Sequence, residues 1–192
     1  MALSKTMICN MAIGWLGGTL VTSVENDASP EAALCRTNYD VCRDAVLEER
    51  NWSFAIVRKA LAPSGTPPDF GFTNQFTLPA DCVRVVDVST NPTFNRGIDW
   101  EKEGNQLLAD TTVLYIKYVG QVEDETKFSD GFAQAFAARI AMEIALPLTN
   151  SPEFQQQMQQ LYAVKLERAG TLDGMQGTNK PTMKSSRLLD VR

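Results

Sequence analysis

A chain of 192 residues, 44% hydrophobic and 21% charged, is long enough for one good core and short for two independent domains. It contains no histidine, which excludes Ser-His and Cys-His nucleophile activation and His-ligated zinc. A net charge of −5 makes it a poor binder of nucleic acid by general charge attraction, and suits a surface past which DNA slides without sticking.

In chain order, residues 4–16 read as a short helix, with Met7, Ile8, Met11, Ala12 and Trp15 at helical spacing and Gly17-Gly18 ending it. Ser29-Pro30-Glu31 is a strong helix start: Ser caps, Pro takes the first position, and Glu faces the positive end of the dipole. The helix opening there is expected to span residues 30–61. Leu34, Cys35, Val41, Cys42, Ala45, Val46, Trp52 and Ile56 make its stripe, and Asn38 and Glu49 fall on the same stripe without an evident reason. Leu47 and Phe54 fall nearly opposite and make a second ridge, expected to meet another part of this chain or another copy of it.

Residues 62–74 form a proline- and glycine-rich loop. Within it Phe70 and Phe72 either fold back on the core or make a sticky tip for a partner. From 75 to 119 the period changes to that of strands, with segments at 82–89, 97–100, 107–109 and 111–119 and a hairpin turn at Glu103-Gly104-Asn105. In the last segment Leu114, Ile116 and Tyr118 share one face, while Val113, Tyr115 and Lys117 share the other. This predicts a small antiparallel sheet inserted between helices, its open edge a docking surface.

Residues 128–146 are apolar on nearly every side, interrupted by Gln134, Arg139 and Glu143, and are expected to form an enclosed central helix stopped by Pro147. Arg139 and Glu143 lie one turn apart and can pair. A further helix is predicted over 152–169, stopping at Gly170, followed by an extended C-terminal arm at 171–192. In that arm Lys180, Lys184, Arg187 and Arg192 oppose only Asp190. Lys184 and Arg187, with Leu188 and Leu189 as apolar anchors, are candidate partner-binding residues. The fold class expected is α+β, mainly α: a helical bundle carrying a β insertion.

Chemistry is sparse. The four cysteines, Cys9, Cys35, Cys42 and Cys82, form no CxxC pair and are expected to be buried free thiols made in a reducing compartment, the N-terminal stretch being too polar for a signal peptide. No segment has transmembrane length, and no metal spacing, phosphate loop or cofactor motif is read. Paired acids occur at Glu48-Glu49, Glu101 with Glu103, and Glu123-Asp124-Glu125. They permit one alternative, a phage-associated cell-wall hydrolase using two carboxylates.

The order of features carries more than any single motif. It runs Ile13-Gly14, then D-A-S-P-E-A at 27–32, then Y-D-x-x-R-D-x-V-L-E-E-x-x-W-x-F-A at 39–55. It continues with F-x-L-P-x-D-C-x-R-V at 76–85, L-L-A-D at 107–110, I-K-Y at 116–118 and F-x-x-x-F-A at 128–133. Over residues 3–170 this resembles the tail tubular protein A family, the head-to-tail adaptors of short-tailed bacteriophages. The resemblance implies a structural virion protein without an active site or cofactor, forming a ring of about twelve copies at the head–tail junction. Its implied partners are copies of itself, the portal protein, the tail nozzle protein (tail tubular protein B) and, in some members, tail fibres or spikes. DNA passes through the channel without specific binding.

Overall fold

The computed structural model describes residues 3–95 and 97–176. Among them stand four α-helices and two three-stranded antiparallel sheets, 46% helix and 19% strand, an α+β fold that is mainly α. The helices are α1 (Lys5–Trp15), α2 (Pro30–Glu49), α3 (Asp130–Thr149) and α4 (Pro152–Gly174). Between α2 and α3 run β1 (Ile56–Leu61), β2 (Asn74–Thr77), β3 (Cys82–Ser89), β4 (Trp100–Glu103), β5 (Gln106–Ala109) and β6 (Leu114–Gly120).

Each helix opens on a serine whose hydroxyl accepts an N–H from the first turn: Ser4 from Met7, Ser29 from Ala32, Ser129 from Phe132 and Ser151 from Phe154. The helix α1 ends as its glycines predict, with Gly17 at φ 72° and the Gly18 N–H returned to the Ile13 carbonyl at 3.1 Å. The central helix is α3. Its phenylalanines and alanines, from Phe132 to Ala145, are buried on almost every side, and Arg139 pairs with Glu143 at 3.0 Å. Phe132 is the hub of an aromatic cluster, its ring centroid 5.0 Å from Trp52, 5.0 Å from Phe54 and 4.8 Å from Phe128.

Several expectations are corrected. The helix begun at Pro30 ends at Glu49, not at 61. Arg50 is extended, the Trp52 indole N–H folds back to donate to the Val46 carbonyl at 2.8 Å, and β-branched Ile56 and Val57 open β1 against β6. The buried stripe of α2 is Ala32, Cys35, Tyr39, Cys42 and Val46, whereas Val41 is 71% exposed. Leu47 is 0% exposed: its ridge meets another part of this chain, so Leu47 is an ordinary core residue and not a partner contact. Pro147 lies inside α3, one turn from its end; the helix stops at Asn150 in the left-handed conformation, φ 53°. Gly170 does not stop α4, which runs to Gly174. A Cβ there would stand 2.7 Å from Cδ of Arg50, so the glycine makes room for that side chain. Residues 171–174, expected in the arm, are thus helical, and 177–192 lie outside the described residues.

The β region is two sheets, not one, ordered β1-β6-β3 and β2-β5-β4. A second core lies between them, built from Leu61, Phe76, Leu78, Val88, Leu107, Ala109, Leu114, Ile116 and Tyr118. Strand β3 explains how the first sheet serves both cores. Bulges between Cys82 and Arg84 and between Val85 and Asp87 insert an extra residue twice. Cys82, Val85 and Val88 therefore face the β core at three-residue spacing, while Val83 and Val86 pack on the helical core.

Candidate interaction surfaces

The strand registers sort the β region into two ends. At one, Ile56 pairs Val119 and Cys82 pairs Gly120, next to the helices that precede β1 and follow β6. At the other, Leu61 pairs Leu114, Ser89 pairs Tyr115, and both Asn74 and Trp100 pair Ala109. The loops after β1, β3 and β5 gather there. Bonds between residues 37 positions apart pin two of them together: the Thr73 N–H and hydroxyl donate to Asp110 Oδ1 at 2.8 and 3.0 Å, and Asn74 Nδ2 donates to the Thr111 carbonyl at 2.9 Å. On this pinned frame Phe70 is 88% exposed, with Trp100 at 37% and Val113 at 43%. Phe72 is half-buried. The two loop phenylalanines therefore divide the two readings between them: Phe72 turns partly inward and Phe70 makes a tip.

The other sequence-predicted contact residues fare differently. Leu47 is enclosed in the helical core, and Phe54 is half-buried against Phe128 and Phe132. Neither is brought to an open ridge, because Phe54 sits in a single 3-10 turn after α2 and not on it. Lys184, Arg187, Leu188 and Leu189 lie outside the described residues.

Among the described residues two grooves lined by charged side chains stand out. One, of about 570 Å³, lies where the corner after α2 meets the end of α4. Tyr162 donates to Glu49 Oε1 at 2.7 Å, the Ser53 N–H and hydroxyl donate to Asp173 at 2.9 and 2.6 Å, and Arg84 donates to the Glu48 carbonyl at 2.8 Å. The Glu49 bond explains that acid on the α2 stripe, and Asn38 is satisfied by the Leu34 carbonyl at 2.8 Å. The other, of about 410 Å³, surrounds buried Arg43, which pairs with Asp40 and Asp44 at 2.9 Å each. Nearby, Tyr39 donates to Glu125 at 3.1 Å and Gln121 to Asp44 at 2.8 Å. Burial first, and the neighbouring carboxylate second, push the Tyr39 phenol up; burial and the hydrogen bond to Glu49 do the same for Tyr162. These bonds fasten α2 to α4 and to the segment after β6.

The acid pairs stand on three separate elements, the end of α2, β4, and the link before α3. All but Glu125, which is half-buried, are exposed. Hydrogen bonds from Thr126 hold the Asp124 carboxyl below its usual range. Among the described residues no group of three or more Cys, Asp or Glu is placed to hold a metal ion. Cys9, Cys35 and Cys42 are buried free thiols, as expected, whereas Cys82, on the sheet β1-β6-β3, is free but only half-buried. The neighbouring Cys35 thiol and burial push Cys9 up, and burial pushes Cys42 up to about 11.

The open rims of the sheets went partly unread in the sequence. Strand β1 is one rim of β1-β6-β3, with residues 57–60 exposed, and β4 is one rim of β2-β5-β4, exposed throughout. The β-branched pair Ile56-Val57 was the available signal for β1. Among the described residues no helix is long and apolar enough to cross a membrane. A scan of known protein families finds no family model that matches the chain, and no curated protein matches it.

Proposed function

We propose that this chain is a structural connector, the head-to-tail adaptor of a short-tailed bacteriophage virion, working as one wedge in a ring between the portal and the tail nozzle. The observation that carries the reading is the ordered series of motifs over residues 3–170. The fold lends support: a rigid helical body carries a β module whose loop end, farthest from the helix junctions, exposes Phe70. A body of that kind has one end for each neighbour along an axis, with the loop tip offered to the nozzle and the helices to the portal. The net charge of −5 suits a conduit that does not retain DNA. The exposed acid pairs lend no support to the hydrolase alternative, which needs an acid raised by an enclosed apolar setting.

Electron micrographs of the purified protein mixed with its portal rings test this. Added ring density on one face of the portal is the expected result; portal rings that stay bare at saturating protein would overturn it.

A further inference from the structure

The rims of the two sheets carry opposite charge. On β1 the exposed residues include Arg58 and Lys59; on and beside β4 they include Asp99, Glu101 and Glu103, with Lys102 the one cation on the strand itself. Arg58, Lys59, Glu101 and Glu103 form no ion pair with another described residue. A strand rim presents a row of unpaired N–H and C=O groups that another strand can join. Cations on such a rim repel most comers and admit an acidic one, and this molecule carries an acidic rim of its own.

Face and register agree with the charge. Leu61 faces the β core, so Lys59 shares its face and Arg58 takes the other. On β4, Trp100 and Lys102 stand opposite Ala109 and Leu107, which face the β core, and Glu101 stands opposite Leu108 on the far face. Antiparallel alignment of Arg58 with Glu101 joins like faces to like. It sets Arg58 among Glu101 and the diagonal neighbours Asp99 and Glu103, and sets Lys59 opposite the Trp100 ring.

We propose that the β1 rim of one copy pairs antiparallel with the β4 rim of a second copy, Arg58 opposite Glu101, as the lateral contact of the assembly. This deepens the connector reading and rests on it. The two surfaces are unlike, so the contact is head-to-tail and builds a ring when its rotation closes. Six residues against four bury far less than the roughly 1,200–2,000 Å² of a stable pair. The contact is therefore weak in a single pair, and strengthens where the portal holds copies side by side.

Charge reversal tests it. Arg58→Glu with Lys59→Glu makes both rims acidic, and Glu101→Lys with Glu103→Lys makes both basic; all four positions are exposed, so thermal unfolding should match wild type. Sedimentation of each chain, alone at high concentration and on portal rings, should show self-association weakened by about tenfold or more in either variant. Mixing the two variants should restore it, because each acidic rim then meets a basic one. Undiminished association of either variant, or failure of the mixture to recover, overturns the rim pairing while leaving the connector intact. A wild-type chain that never self-associates, free or on the portal, overturns the connector reading itself.

Discussion

Tyr118 shows how a single buried polar group ties stability to solvent. Its ring belongs to the β core, 2% exposed, and its hydroxyl donates to both carboxylate oxygens of Asp81 at 3.2 Å. Burial, then the neighbouring Asp81 charge, pushes the phenol up to about 12. An unfolded tyrosine ionises near 10. Between those values the unfolded chain has lost a proton that the folded chain keeps, so the contribution is fully present below pH 10 and is lost as pH rises toward 12. Cys42 begins the same decline earlier, its thiol being raised from about 9 to about 11. The unfolding free energy should therefore start to fall near pH 9 and fall faster above 10. Tyr118→Phe should remove about 0.8 of a proton from the unfolding stoichiometry at pH 11, a slope shallower by about 1.1 kcal/mol per pH unit. Chemical denaturation at several alkaline pH values measures this, and an unchanged slope would mean that Tyr118 ionises freely in the folded protein. The sequence marked this residue by its face on the last strand and by the I-K-Y motif, but not by its hydrogen bond; its partner lies 37 positions away, in the turn before β3.

At the scale of elements, what is local was legible and what is tertiary was not. The Ser29 start of α2, the glycine end of α1 and the span 82–89 of β3 are set within a few residues of themselves, and each stands where the sequence puts it. Helix ends inside a continuing apolar pattern are different. Trp52 and Ile56 kept helical spacing with the α2 stripe, but the Trp52 indole caps α2 from outside and β6 takes Ile56 into a sheet. Gly170 looked like a stop because the reason it is glycine, the Arg50 side chain across it, comes from 120 residues upstream. Gly131 is a second glycine whose meaning is packing. It lies in the first turn of α3 against α4, where a Cβ would meet the Ala169 Cβ at 3.1 Å and its Cα at 3.2 Å. Backbone cannot swing away as a long side chain can. Gly131→Val should force the two helices apart and cost about 1–3 kcal/mol, read as a lower urea midpoint with an unchanged slope. Equal midpoints would show slack between α3 and α4 that the close contact denies.

For the whole molecule, two cores share one sheet: the helices cover part of β1-β6-β3 from one side and β2-β5-β4 covers it from the other. The loop end of the β module is held through that shared sheet, so the exposed tip is positioned by packing that begins at α3. The tip was legible only as a composition, prolines and two phenylalanines, since which ring turns outward depends on pins such as Asp110 to Thr73. Of the two contacts open to the second ridge of α2, Leu47 makes the one within this chain: a helical wheel cannot say which neighbour covers an apolar face, and here Leu47 is covered fully. If the connector reading holds, Phe70 is, among the described residues, the large apolar side chain offered almost whole to a partner at the nozzle end. An exposed aromatic anchor of this kind is worth about 2 kcal/mol when its partner pocket encloses it, roughly thirtyfold in affinity. Phe70→Ser should therefore weaken capture of the nozzle protein by that factor while leaving thermal unfolding and assembly on portal rings unchanged. The three measurements separate the causes. A lower melting temperature would assign Phe70 to folding and loss of ring assembly would assign it to the lateral contact, while full nozzle affinity would leave the tip without a role at that end.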